Sequence, residues 1–125
     1  MSKSQINKDV AIRYVEELWS EGKLDVADEI ISSEPENVQE SGSDSNFSPE
    51  NTKAMVSGVR ALLSGLTREL HSITADEEYV SVNSTISGIH SGSWGYIPYP
   101  ATGEKITFSG LAVFKFVNGL IVDEP

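Results

Sequence analysis

The stretch 105-KITFSGLAVFKFVNGLIVDE-124 has apolar side chains at alternating positions on both sides of Asn118-Gly119. This period of two predicts β-strands over Lys105 to Val117 and Leu120 to Asp123. Asn-Gly favours a two-residue hairpin turn, so the two strands are predicted to pair antiparallel. Both faces of the longer strand are apolar, which predicts that one face covers the core and the other meets a partner.

Two further strands are predicted upstream, over Leu70 to Ala75 and Tyr79 to His90, with Asp76-Glu77 as the turn between them. All four strands are expected to form one antiparallel meander. Strands of about a dozen residues are longer than the usual five or six, and in a small domain they must bend and twist around a core. A curved sheet of this kind leaves an open mouth where a ligand pocket can form.

The first half of the chain has the 3.6-residue period of amphipathic helices. One helix is predicted from Asp9 to Trp19 and a second, short one from Leu24 to Ile31. Ser48 and Pro49 are typical of a helix start and predict a third, whose apolar face runs as far as Leu66. Helices followed by strands predict a single α+β domain over residues 1–125.

Composition excludes several classes of function. The 125 residues carry a net charge of −10 and no cysteine. A nucleic-acid binder concentrates basic residues on one face, whereas the nine Lys and Arg are scattered here. Thiolate chemistry and cysteine-based zinc sites are excluded. The sequence contains no apolar run long enough to span a membrane, and its first ten residues contain no signal-like apolar block. We therefore expect a cytoplasmic protein.

Three segments carry a resemblance to a known family: AIRYVEELWSEGKLDVADEIIS (11–32), ENVQESG (36–42) and SGIHSGSWGYIPYPATGEKITFSGLAVFKFVNGLIVDE (87–124). They resemble the opening helices, the first short strand and the Gly-x-His-x-Gly to Gly-x-Ile-Val stretch of SnoaL-like proteins, in the nuclear transport factor 2-like superfamily. The resemblance covers nearly the whole chain. It implies a cone-shaped fold with three N-terminal helices packed on a curved antiparallel sheet, an apolar pocket and homodimerisation.

The resemblance also implies chemistry. SnoaL-like members are polyketide cyclases that close a ring by intramolecular aldol chemistry, and relatives include ketosteroid isomerase and epoxide hydrolases. We therefore expect a cofactor-independent pocket protein for a small apolar or polycyclic carbonyl compound, with no metal, nucleic acid or membrane partner. The alternative from another class is a non-catalytic ligand-binding or dimerisation module, because one fold hosts many functions.

Three residues are candidates for acid/base catalysis. Glu40 lies at the end of the short strand where relatives place a proton-transferring carboxylate, and apolar walls would raise its pKa. His90 occupies the histidine of the Gly-x-His-x-Gly element and is predicted to face inward. Asp123 lies near the aspartate of the cyclases, although a shift of one residue would turn it outward. Solvent exposure or simple packing is the alternative for each.

The expected ligand-binding residues are aromatic, since flat rings offer large contact areas to ring-shaped ligands. Core packing or an interface is the alternative role, above all for the two on the first helix. The five candidates are Tyr14, Trp19, Trp94, Tyr96 and Phe108.

Two departures from the family pattern favour the binding module. Ala112 stands where isomerase-like relatives have a protonated aspartate, and the sequence stops at Glu124-Pro125 where the family continues with a further acid-bearing strand. The C-terminal strand therefore appears shortened relative to the family. Epoxide hydrolysis is disfavoured because Asn83 occupies a position where an arginine often occurs.

Overall fold

The computed structural model of the protein describes residues 2–33, 47–92 and 102–124. Within these ranges three helices pack against one four-stranded antiparallel sheet, which confirms the predicted α+β class. The elements are α1 (Lys3–Arg13) with a π-helical continuation (Tyr14–Ser20), α2 (Val26–Ile30), α3 (Pro49–Leu62), β1 (Leu63–Ala75), β2 (Tyr79–His90), β3 (Lys105–Val117) and β4 (Leu120–Asp123). None of the helices in the described ranges is long and apolar enough to cross a membrane.

The first helix begins earlier than its apolar stripe predicted. The Ser2 hydroxyl accepts a hydrogen bond from the backbone N–H of Gln5 at 3.1 Å, which caps α1. Beyond Arg13 the helix widens into the π-helical segment, which buries Tyr14 and Trp19. Single π-helical turns often occur at functional sites.

The third helix ends sooner than predicted, and β1 begins correspondingly earlier. The chain passes from helix to strand at Leu63, so Leu66 lies on β1 and not on the helix. Gly65 has a φ of 64° beside a register irregularity between Ser64 and Thr67, which is typical of a β-bulge. Pairing with the end of β2 overrides the local helical pattern here, as tertiary context commonly does.

The sheet is a meander in the order β1-β2-β3-β4, as predicted. Asn118 and Gly119 adopt φ angles of 52° and 79° and form the turn between the last two strands. Helix α1 and its continuation cover one end of the inner face, where they bury a core around Tyr14, Leu18 and Phe114. At the other end of β3, the inward Phe108 is 55% exposed. The inner face is therefore sealed at one end and open at the other.

Candidate functional site

The candidate site lies on the open part of the inner face, where three strands align side by side. Arg68 of β1 pairs with Ile86 of β2, and Ile86 pairs with Phe108 of β3. Opposite residues of antiparallel strands point to the same face, so these side chains form one row. The next row contains Ser84 opposite Gly110. An open pocket of about 220 Å³ has its described walls at Arg68, Ser84, Ile86, Phe108, Ser109, Gly110, Leu111, Ala112 and Glu124.

Arg68 is the most unusual residue of this pocket because it is a buried cation. Only 9% of it is exposed, and its Nε donates a hydrogen bond to Ser84 Oγ at 3.0 Å. Its Cζ lies 5.1 Å from the ring centre of Trp19 and 5.5 Å from that of Tyr14, close enough for cation–π attraction. No carboxylate of the described residues lies within 4 Å of the guanidinium nitrogens.

The backbone of Arg68 is fixed by the π-helical segment. The Ser20 hydroxyl donates to the carbonyl of Arg68 at 3.0 Å and accepts from its N–H at 2.8 Å. Arg60 of α3 donates to the carbonyls of Trp19 and Ser20 at 2.6 and 3.0 Å, which satisfies two orphan groups at this helix end. These hydrogen bonds join the π-helical segment to β1 and to α3, and so fix the position of Trp19 relative to Arg68.

Two further donors stand beside Arg68 without partners. Tyr14 Oη and Trp19 Nε1 are buried and have no hydrogen-bond partner within the described residues. Burial, with a smaller contribution from the negative charge of Glu124, raises the pKa of Tyr14 to about 12, while Trp19 and Arg68 oppose the increase. The phenol therefore keeps its proton near neutral pH and can donate it in a hydrogen bond.

Glu124 is the carboxyl group on the described wall of the pocket. It lines the pocket together with Arg68, and burial raises the pKa of its carboxyl, with Asp123 adding to the increase and Arg68 opposing it. A carboxyl group of this kind exchanges protons closer to neutrality than an exposed glutamate does. Glu124, Arg68 and Ser84 therefore share the pocket wall, and the buried rings of Tyr14 and Trp19 lie behind Arg68.

The predicted Asp123 does not line this pocket. A register irregularity in β4 places Asp123 opposite Lys115, while Ile121 lies opposite Phe116. Asp123 is buried and its Oδ1 accepts a hydrogen bond from the Glu124 N–H at 2.9 Å. A bulge of one residue is enough to exchange the faces of two neighbouring side chains, so the inward acid is Glu124.

His90 lies at the far end of β2. Its Nδ1 is 3.1 Å from Thr102 Oγ1, and its buried Nε2 has no partner within the described residues. Four residues of strand separate it from Ile86, or about 13 Å at ~3.3 Å per residue. The structure therefore brings Tyr14, Trp19 and Phe108 around Arg68 but places His90 elsewhere. The predicted Glu40, Trp94 and Tyr96 lie outside the described residues.

Sequence reasoning missed Arg68, Ser84 and Glu124. Ser84 lies on a correctly predicted strand and alternates with Val82 and Ile86, so its inward direction was readable. Arg68 was not recognised as a strand residue because β1 was predicted to start at Leu70, two residues later. Within residues 2–33, 47–92 and 102–124, no three His, Asp or Glu side chains are grouped so as to hold a metal ion.

The SnoaL-like polyketide cyclase model matches residues 9–124, nearly the whole chain. The chain belongs to the SnoaL-like polyketide cyclase family. No curated protein sequence matches it. The SnoaL-like fold is thus established both by sequence and by the arrangement of helices on the meander.

Solved structures share this SnoaL-like fold at low sequence identity. A protein from Jannaschia sp. CCS1 named for the SnoaL-like polyketide cyclases has a TM-score of 0.79 and 16% identity, covering 99% of this chain and 85% of that one. AclR from Streptomyces galilaeus, named as a hydroxylase, has a TM-score of 0.76 and 19% identity, covering 97% and 77%. An LEH-like epoxide hydrolase from M. tuberculosis has a TM-score of 0.68 and 16% identity, covering 99% and 79%. Their differing names show that the fold does not fix the reaction.

Proposed function

We propose that the pocket around Arg68 binds a small carbonyl compound and that Glu124 moves a proton on the carbon beside its carbonyl group. The observation that carries this proposal is that the carboxyl of Glu124 and the guanidinium of Arg68 line the same pocket, with the Tyr14 ring centre 5.5 Å from Arg68 Cζ. Membership of the SnoaL-like polyketide cyclase family supports it. This proposed set differs from Glu40, His90 and Asp123, the acid/base residues expected from sequence, whose catalytic roles stay predictions.

The proton transfer uses groups that the pocket contains. The ionised Glu124 carboxylate takes the proton from the α-carbon, and the electron pair of the broken C–H bond moves to the carbonyl oxygen as an enolate. The Tyr14 O–H donates a hydrogen bond to that oxygen, and the charge of Arg68 attracts it. Both groups are fixed before reaction, because Tyr14 is fully buried and the Arg68 backbone is held by Ser20.

The enolate has two fates, and neither consumes a cofactor. Glu124 returns the proton to carbon, which isomerises or racemises the compound. Alternatively, the nucleophilic carbon attacks a second carbonyl of the same molecule and forms a ring carbon–carbon bond. The alkoxide made in that step takes the proton from Glu124, so the enzyme returns to its starting state.

Exchange of α-hydrogen for deuterium measures the first step without knowledge of the natural substrate. The wild-type protein is expected to accelerate exchange into 2-tetralone or another small cyclic ketone in D₂O, followed by proton NMR. Glu124→Gln should lower the rate by about 100-fold or more, the usual contribution of a general base. Glu77→Gln, at an exposed turn position outside this pocket, is the matched control and should keep the rate, with an unchanged circular dichroism spectrum.

Equal rates for wild type and Glu124→Gln would contradict the assignment of the base. Glu40→Gln and His90→Gln belong in the same series, since both residues were candidates from sequence. Loss of exchange in either of them, with Glu124→Gln unaffected, would move the catalytic centre away from the Arg68 pocket.

A second candidate function is binding without turnover. It is favoured by Ala112, which forms part of the pocket wall where the resembling isomerases place an acid. This reading predicts saturable ketone binding with no exchange above the solution rate in any variant. The NMR series therefore distinguishes the two functions directly.

The resemblance also leads us to propose a homodimer formed through the outer sheet face. Leu111 supports this, because it is 71% exposed on β3. Sedimentation analysis should give twice the chain mass, and Val113→Asp, on the same face of β3 but outside the pocket wall, should lower it to that of one chain. A monomeric wild-type protein would contradict the dimer without affecting the pocket.

A further inference from the structure

Arg68 needs a counter-charge that the described part of the chain does not place against it. A guanidinium remains charged at all physiological pH values, and a buried cation without a partner is costly. Cation–π attraction by Trp19 and Tyr14 offsets part of this cost. A purely structural buried arginine would be expected to carry a close carboxylate, and none of the described carboxylates lies within 4 Å of this one.

The open donors of Arg68 are at the pocket. Its Nε donates to Ser84 and its side chain also interacts with the Tyr14 hydroxyl, and no other hydrogen-bond partner of Nη1 and Nη2 is found within the described residues. Because Arg68 lines the pocket, these two terminal nitrogens are accessible to a bound molecule. Paired N–H groups on a planar guanidinium match the two oxygens of a carboxylate, which they bind as a fork.

The charge of Arg68 opposes the increase that burial causes in the pKa of the Glu124 carboxyl, but the two side chains do not form an ion pair. Glu124 lies beyond ion-pair distance, and burial raises its pKa despite the opposing charge of Arg68. Raising of the pKa is the opposite of what a close guanidinium partner produces. Among residues 2–33, 47–92 and 102–124, therefore, no carboxylate occupies the forked donor edge of Arg68.

We propose that the ligand is a small ring-containing keto acid, whose carboxylate is bound by Arg68 while its ketone faces Tyr14 and Glu124. This inference rests on the proposed function of the same pocket. Ile86 and Phe108 flank Arg68 in one row and offer apolar contacts to the ring. The pocket volume of about 220 Å³ is below the range of about 300–1,000 Å³ for drug-sized ligands, which favours one or two rings.

The test compares 2-naphthoate with its neutral isostere 2-naphthamide, by isothermal titration calorimetry at about 150 mM salt, where the screening length is about 8 Å. Wild type is expected to bind the acid about tenfold more tightly than the amide. The net charge of −10 works against anions, so it cannot produce this preference. Equal affinities, a preference for the amide, or no binding of either probe would each overturn the proposal.

Three variants locate the source of the preference. Arg68→Met keeps the length of the side chain and removes its charge, so the acid and the amide should bind equally. Arg68→Lys keeps the charge without the fork and should retain part of the preference, which covers the case that the methionine variant does not fold. Glu124→Gln removes a nearby negative charge and should tighten binding of the acid. An unchanged preference in Arg68→Met or in Arg68→Lys would overturn the proposal.

The outcomes separate this inference from the proposed function. A preference for the acid that depends on Arg68, without any deuterium exchange, supports an acid-binding pocket and rejects proton transfer by Glu124. Exchange on neutral ketones without a preference for the acid supports proton transfer and rejects the keto-acid ligand.

Discussion

The two ends of strand β3 have the same alternating sequence pattern but different environments. Phe114 and Phe116 are buried beneath α1 and its π-helical continuation, whereas Phe108 is 55% exposed beside Arg68. The difference follows from what covers each end, because the helices of the described residues lie over Phe114 and Phe116 and not over Phe108. The same residue type therefore forms part of the core at one end of the strand and part of the pocket wall at the other.

The largest expected effect lies at the sealed end. Phe114→Ala should lower the free energy of unfolding by about 3–5 kcal/mol, since it opens a cavity beside Tyr14, whose ring centre is 4.7 Å away. Phe108→Ala, the matched change at the open end, should cost within about 1 kcal/mol. Urea denaturation followed by tryptophan fluorescence measures both. Similar losses at the two positions would mean that the Phe108 end is also packed.

An intermediate loss of stability is expected where the π-helical segment is hydrogen-bonded to the pocket strand β1. Ser20→Ala removes the hydroxyl that pairs with both backbone groups of Arg68, at 2.8 and 3.0 Å. Leaving these groups unpaired should cost about 1–3 kcal/mol. Ser64→Ala, at an exposed position of β1, is the control and should cost less than about 0.5 kcal/mol. Equal costs would show that Ser20 does not anchor the strand.

A smaller effect on stability should accompany a large effect on activity at Tyr14. Tyr14→Phe removes only a buried hydroxyl that has no partner in the described ranges, so unfolding should change by less than about 1 kcal/mol. Deuterium exchange into the ketone should fall by about tenfold or more, because the enolate loses a donor. A destabilised variant with full exchange activity would reverse the role assigned to the hydroxyl.

The smallest effect is a pH dependence at Glu124. Its pKa is raised in the folded protein, chiefly by burial, so the folded state binds this proton more tightly than the unfolded state. Its contribution to stability is therefore fully present below the ordinary glutamate pKa of about 4.3 and is lost as the pH rises through the folded pKa. The stability of Glu124→Gln relative to wild type should rise over that window. A flat difference between pH 4 and 8 would contradict a buried Glu124.

The strong periodic signals predicted the fold well. The turn at Asn118-Gly119 and the bounds of β2, β3 and β4 agree with the structure. The start of β1 was wrong because the residues before Leu70 continue an amphipathic helical stripe, and only pairing with β2 makes them a strand. The local sequence does not contain that long-range information.

The candidate site was harder to predict because one residue of register decides it. Tyr14, Trp19 and Phe108 surround Arg68, but a bulge that no turn residue marks places Glu124, and not Asp123, at the pocket. The importance of Arg68 depends on burial and on the distances to its neighbours. Sequence alone shows neither, so an arginine in a strand looked like an exposed charge.

Ligand binding at the Arg68 pocket can be followed through the indole N–H signals of the two tryptophans, because Trp19 lies against Arg68. Titration with 2-tetralone should move the Trp19 signal to saturation in nitrogen–proton correlation spectra, with Trp94→Phe providing the assignment. His90→Ala should preserve the shift, whereas Ala112→Phe, which fills the pocket, should abolish it. An unmoved Trp19 signal, or a shift that survives Ala112→Phe, would contradict the account.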